Sequence, residues 1–214
     1  MYGPSLRIEY DGLGVTLVPA KLEWASHYAK MMSSLKVNMW TTMLYGCTES
    51  GELEWLEKQA KDPKGVAWAI VPDGCELPVG NTGLHNIDAV TGSCTSGIII
   101  FDTVWWGRGI ASRAHLIRTW FAAEMLNRLT IHSHVRDQNE ASRKALERVG
   151  YTVTGVIPRD AYRNGVYLDT LNLTWMHPRR VHELYPNGLP VEYRAGVARA
   201  EIALEKAHNH IELL

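Results

Sequence analysis

The sequence predicts an α+β fold built on a mixed, mostly antiparallel sheet, and three observations carry that prediction. The connectors PDGCEL (72–77) and AVTG (89–92) join strand-like runs in the middle of the chain; they hold Asp-Gly and Thr-Gly turn signals and are short enough only for antiparallel hairpins. A helical run separates GIIIF (97–101) from LTIHSHV (129–135), so those two strands must lie parallel. Strands and helices do not otherwise alternate, which excludes a βαβ series.

Each element has a local reason. GVTLV (14–18) alternates apolar residues and stops at Pro19, which reads as a strand, followed by a helix over 21–35. A second helix over 50–61 puts Leu53, Leu56 and Ala60 on one face and ends at Asp62-Pro63. Strands follow over 65–71, 78–88 and 93–101. Ile110, Ala114, Ile117 and Phe121 then repeat at helical spacing, with Leu116, Trp120 and Ala123 widening the stripe, so this helix should be central and largely buried. After the 129–135 strand, QNEASRKALERVG (138–150) is helical, with Ala141, Ala145 and Val149 on one face and Gly150 as its left-handed stop. The strand 151–157, a polar loop over 159–165 and the strand 169–176 complete a sheet of six to seven strands. The domain spans 1–178. The extension 179–214 carries Pro186 and Pro190, then an amphipathic helix with Leu204, Ala207, Ile211 and Leu214 on one side, which packs on the core or across a homodimer interface.

With 214 residues and 46% hydrophobic content the chain can bury a sizeable core. Lys and Arg number 22 against 23 Asp and Glu, so no global basic field draws it to nucleic acid or an anionic membrane. Any anion must be held locally. Cys47, Cys75 and Cys94 are odd in number and widely spaced, which argues against a disulfide scaffold or a zinc site. With no signal pattern and no apolar run of about 18 residues, a cytoplasmic protein is expected.

The stretch DTVWWGRGIASRA (102–114) gathers two glycines at a strand-to-helix junction. A P-loop would need Gly-Lys-Ser/Thr, which the chain does not contain. A dinucleotide fingerprint would need a third glycine where Ser112 stands, and a parallel sheet. The remaining reading is a pyrophosphate cradle made by successive amides of Gly107 through Ser112 at a helix N-terminus.

Trp106-Gly107-Arg108-Gly109-Ile110-Ala111 resembles the signature Gln/Arg-x-x-Gly-x-Gly/Ala of the GNAT acetyltransferase superfamily over its last four positions. Trp106 stands where Gln or Arg is usual, as in the branch resembling the ribosomal-protein N-terminal acetyltransferases. One strand later, 137–151 (DQNEASRKALERVGY) is similar to the superfamily's Asn-x-x-Ser-x-x-x-Leu-x-x-x-Gly-Phe/Tyr segment. The likeness covers roughly 14–176. It implies a central parallel pair that splays apart, helices on both sheet faces, and acetyl-CoA as co-substrate. The amides from Gly107 through Ile110 to Ala111 and Ser112 would take the pyrophosphate, with Arg108 adding a charge-assisted contact. The resemblance places the pantetheine arm on the backbone of Ile99, Ile100 and Phe101, and assigns it Asn139, whose other role is an N-cap. It implies Ser142 as the acid that protonates the departing thiolate, whose thiol has a pKa of about 8.5.

The attacking amine must first lose a proton. His134, His132, or His85 with Asp88 could accept it, as could a water relay. His132-x-His134 has no third ligand at suitable spacing, so no metal is expected. Trp40, Trp105 and Trp106 would line an acceptor pocket, shield the thioester or serve the core. The function expected is an acetyl-CoA-dependent N-acetyltransferase with direct transfer to a primary amine, either a protein N-terminus or a small molecule. The alternative is a non-catalytic acyl-CoA-sensing module.

Overall fold

The computed structural model describes all of residues 1–214. Hairpins dominate its assembly. β1 (Leu6–Tyr10) and β2 (Leu13–Val18) pair antiparallel across Asp11-Gly12, both at positive φ. A 3-10 turn (Leu22–Trp24), α1 (Ala25–Met32), α2 (Leu35–Asn38) and α3 (Glu49–Lys61) follow. β3 (Val66–Pro72), β4 (Gly80–Asp88) and β5 (Ser93–Ile100) form the expected meander. α4 (Ile110–Trp120) crosses over to β6 (Thr130–Arg136), which lies parallel to β5. α5 (Glu140–Arg148), β7 (Thr152–Arg163) and β8 (Val166–Met176) come next, then α6 (Val181–Leu184), α7 (Val191–His210) and β9 (Ile211–Leu213).

The result is one mixed, mostly antiparallel sheet in the order β7-β8-β6-β5-β4-β3-β2-β1-β9, with a single parallel pair at β5–β6. Alternation of side chains divides two cores. Leu84 on β4 packs with α4 and α7 in the larger core, while Ala69 on β3 packs with α1 and Leu56 of α3 in the smaller. Ile110, Ala114, Ile117 and Phe121 are all buried, as the helical stripe requires.

Four features differ from the sequence expectation. The sheet has nine strands, because β1 and β9 add an edge. The helix expected over 21–35 is broken: Ser33 Oγ donates back to the Ala29 carbonyl at 2.8 Å, competing with the helical ladder, and the chain restarts at Leu35. α3 buries Glu52, Leu56 and Gln59 while Leu53 and Ala60 are exposed, because the packing against α1, not apolarity alone, selects the face. The polar loop expected over 159–165 is a continuation of β7 and β8 to a two-residue turn at Asn164-Gly165, both at positive φ. Those strands are polar because this hairpin end extends into solvent.

The segment beyond 178 joins the same structure. Ala200, Ala203, Leu204 and Ala207 of α7 belong to the larger core, and β9 pairs Ile211 with Ile8. Ile211 therefore leaves the helical face, and Leu214 is exposed. No helix is long and apolar enough to cross a membrane. All three cysteines are free.

Candidate functional site

The parallel pair opens. β5 and β6 are in register only from Ser93–Thr130 to Thr95–His132 and part beyond it. Which main-chain groups face the gap follows from ladder alternation. Phe101 N–H donates to the Val79 carbonyl opposite it at 3.0 Å, so Ile99 and Gly97 likewise direct their backbone to β4, and Ile98 and Ile100 direct theirs to the gap. On the other side His177 N–H donates to the Leu129 carbonyl at 2.9 Å, so the odd residues of β6 serve β8 and His134 and Arg136 face the gap.

This corrects the backbone positions expected for a pantetheine arm. Ile99 and Phe101 have their amides committed to β4 and its lead-in, and Phe101 buries its ring against Tyr28. Ile100 faces the gap, but its carbonyl accepts from Trp106 Nε1 at 2.7 Å. Ile98, not among the residues expected to meet the arm, supplies a gap-facing unit; strand parity could have found it.

At the end of the gap the chain turns through Gly107 (φ 76°) and Gly109 (φ 81°) into α4. These left-handed conformations favour glycine. The amides of Gly107, Gly109, Ile110, Ala111 and Ser112 have no backbone acceptor, and the dipole of α4 adds partial positive charge there. Such unpartnered, converging donors fit a pyrophosphate. Arg108 does not join them: its amide donates to the Trp105 carbonyl at 3.4 Å and its exposed guanidinium lies over the Trp105 ring. Arg113 braces the turn from behind, donating to the carbonyls of Gly109, Leu13 and Tyr10.

A cleft of about 760 Å³ runs from this turn along the gap, walled by α4, α5, Ile98 and Ile100. Asn139 and Ser142 lie on its α5 wall. Asn139 Oδ1 caps α5 by accepting from Ser142 N–H at 3.2 Å, which leaves its Nδ2 free. The Ser142 hydroxyl makes no hydrogen bond within the protein and no tyrosine lines this cleft.

A second cavity of about 660 Å³ opens on the opposite sheet face, beneath Trp40, Trp55 and Glu52. The two share Trp40, Thr41, Gly97, Ile98, Ile99 and the edge of β6 from His134 to Arg136. The gap in the sheet is thus a passage between two cavities. Two ties hold its outer wall: Arg136 pairs with Asp160 of β7, and Arg163 donates to the Thr41 carbonyl at 2.9 Å.

Among the histidines, only His134 lines both cavities. Its Nδ1 bonds Asn172 Oδ1 at 2.8 Å, which makes Nδ1 the donor and leaves the Nε2 lone pair open. His132 bonds Thr174 and touches neither cavity. His85 lines the second cavity, and burial holds its pKa below the ordinary value. Asp88 is not its partner: that carboxylate accepts from the amides of Val90 and Thr91 instead. No group of three or more His, Cys, Asp or Glu side chains is placed to hold a metal ion. Trp40, Trp105 and Trp106 all line the first cleft.

A family model described as an acetyltransferase (GNAT) domain matches residues 15–152. RimJ of Mycobacterium smegmatis, solved with CoA-disulfide, shares the fold at 19% identity and a TM-score of 0.68, covering 98% of this chain and 95% of that one. Spermidine N-acetyltransferase of Vibrio cholerae, solved with CoA and spermine, gives 18% identity and a TM-score of 0.68 over 76% of this chain and 95% of that one. A GCN5-related N-acetyltransferase of Brucella melitensis gives 20% and 0.64 over 79% and 78%. No curated protein matches the sequence.

Proposed function

The chain belongs to the GNAT acetyltransferase family, and from that premise we propose that it transfers an acetyl group from acetyl-CoA directly to a primary amine. One observation carries the reading: the cleft that begins at the unpartnered amides of the glycine turn passes through the open parallel pair into a second cavity. A donor held on one side and an acceptor on the other meet at the gap, as a ternary complex without a covalent enzyme intermediate requires.

Acetyl-CoA supplies the activated acyl group and a thiolate leaving group. The amides of Gly107, Gly109, Ile110, Ala111 and Ser112 bind its pyrophosphate, the free Asn139 Nδ2 meets the arm, and the backbone of Ile98 and Ile100 aligns it along the gap. His134 Nε2 takes the proton that the ammonium of the acceptor must lose. As the amine nitrogen bonds the acyl carbon, the carbon–sulfur bond breaks and Ser142 Oγ gives a proton to the sulfur, while the second proton shed by the acylated nitrogen restores the hydroxyl. Trp40 and Trp106 keep bulk water from the passage.

The acceptor class includes protein N-terminal α-amines, an inference supported by the Trp-Gly-Arg-Gly-Ile-Ala turn and the fold shared with RimJ, and small amines, consistent with the fold shared with the spermidine enzyme. A screen of acceptor-stimulated thiol release from acetyl-CoA, across peptides with different N-termini and a panel of small amines, tests the proposal. Release above the hydrolytic background with at least one acceptor is expected. Tight CoA binding with no stimulated release by any acceptor points to the sensing module instead.

A further inference from the structure

One helix turn below the cradle, α4 carries His115 and Arg118 beside the stripe of Ile110, Ala114 and Ile117, on a flank that is buried all the same. Arg118 is completely buried with no acidic partner. Its Nη1 donates to Thr82 Oγ1 at 2.8 Å and to the Gly97 carbonyl at 2.9 Å, and its Nη2 lies 2.8 Å from His115 Nδ1. A guanidinium can only donate, so His115 Nδ1 is the acceptor and the proton of the neutral imidazole sits on Nε2. His115 is 1% exposed, forms part of the cleft wall with Ser96, Ile98 and Ser133, and its Nε2 has no partner in the protein.

Buried donors are almost always satisfied. A cation bonded to the opposite ring nitrogen also polarises the imidazole, which strengthens the Nε2–H as a donor. His115 lies five positions beyond Ile110, the first residue of α4, roughly 7.5 Å along the axis at 1.5 Å per residue. That depth lies past a pyrophosphate at the helix N-terminus, on the path toward the fork. We propose that His115 Nε2–H donates a hydrogen bond to a carbonyl oxygen of the bound acyl-CoA arm, and that Arg118 acts through His115 as a positioning residue. Burial first, and the Arg118 charge second, hold the imidazole pKa well below its ordinary value, so the donor remains a neutral N–H and does not titrate during turnover. The inference rests on the donor side of the proposed function.

Nitrogen-15 NMR of the wild-type protein tests it without relying on folding of a variant. The Nε2–H tautomer is expected at neutral pH, and its proton should move downfield on saturation with CoA or acetyl-CoA. A shift with both ligands assigns a pantetheine amide carbonyl; a shift with acetyl-CoA alone assigns the thioester carbonyl. If the Gly107 and Gly109 amides respond to CoA while the His115 proton responds to neither ligand, the inference fails and the donor reading stands. If the glycine amides do not respond either, both fail. In calorimetry, His115→Phe should weaken acetyl-CoA binding about tenfold, while His115→Gln, which keeps a donor near Nε2, should recover most of it. Equal losses in the two folded variants would assign His115 to packing alone.

Discussion

Ser96 and Ser133 stitch the central strands together at the last point before they part. Ser133 Oγ donates to the Ser96 carbonyl at 3.3 Å, and Ser96 Oγ donates to the His132 carbonyl at 3.2 Å. The Tyr151 hydroxyl, buried behind them, lies 3.1 Å from Ser96 Oγ. Side chains thus replace the ladder where the ladder stops, and they fix where the passage begins.

Ser133→Ala should therefore loosen the fork. Losing one buried hydrogen bond costs about 1 kcal/mol, or about 2–4 °C in Tm for a domain of this size. Thermal unfolding followed by circular dichroism, paired with CoA titration, measures both effects. An unchanged Tm together with unchanged affinity would remove the fork's role.

Gly109 is the pivot of the cradle. A Cβ there would meet Arg113 Nη1 at 2.7 Å and force a side chain into a left-handed backbone. Gly109→Ala is expected to cost about 1–2 kcal/mol of local conformational energy and to weaken CoA binding at least tenfold in calorimetry, as the amides of Ile110 and Ala111 turn away. Retention of full affinity would show that the amides do not bind the pyrophosphate.

Ser142→Ala separates chemistry from binding. The hydroxyl makes no hydrogen bond within the protein, so stability should change little, while the turnover number falls about 10²-fold with CoA affinity retained. Pre-steady-state thiol release gives the chemical step directly. Unchanged turnover would end the proposed acid role.

Acid should destabilise the fold at pH values where carboxylates are still ionised. Burial lowers the pKa of His85, His115, His132 and His177 below 6.5. Below that value the unfolded chain binds protons that the native chain does not, so stability is complete above about pH 6.5 and declines as pH falls toward 5. Each group contributes at most about 1.4 kcal/mol per pH unit. Urea midpoints at pH 7.5 and 5.5 should differ in that direction; equal midpoints would contradict the burial.

Trp106 clamps the Ile100 carbonyl, and Lys36 Nζ stands 5.3 Å from its ring centroid. Trp106→Phe keeps the ring and loses the donor, so a modest rise in the KM for acetyl-CoA is expected while the amide cradle persists. Complete loss of CoA binding in a folded variant would move the main burden of recognition from backbone to side chain.

Much of this was legible along the chain, for reasons that lie in neighbouring residues. The meander follows from Asp-Gly and Thr-Gly connectors, the parallel pair from the crossover helix, and the cradle from two glycines before an apolar helix. Asp11-Gly12 also signalled a hairpin, and hence β1, but the strand before it is short and mixed in polarity. His115 and Arg118 fall outside the apolar stripe of their helix, where polar residues are ordinary, so they become a signal only when their burial is known.

What the sequence by itself determined is whatever depends on local stereochemistry: turn type, helical periodicity, and the left-handed backbone at Gly107 and Gly109. The tertiary structure decided which backbone groups face the gap, since parity along β5 depends on pairing with β4. It also decided that His134, and not His132, reaches both cavities, and that Arg118 lies against His115 without a counter-charge. His115 and Arg118 are neighbours on one helix turn, so their contact is local; its burial without a counter-charge, like the reach of His134 and the pairing of β5, follows from the packing of elements distant in the chain.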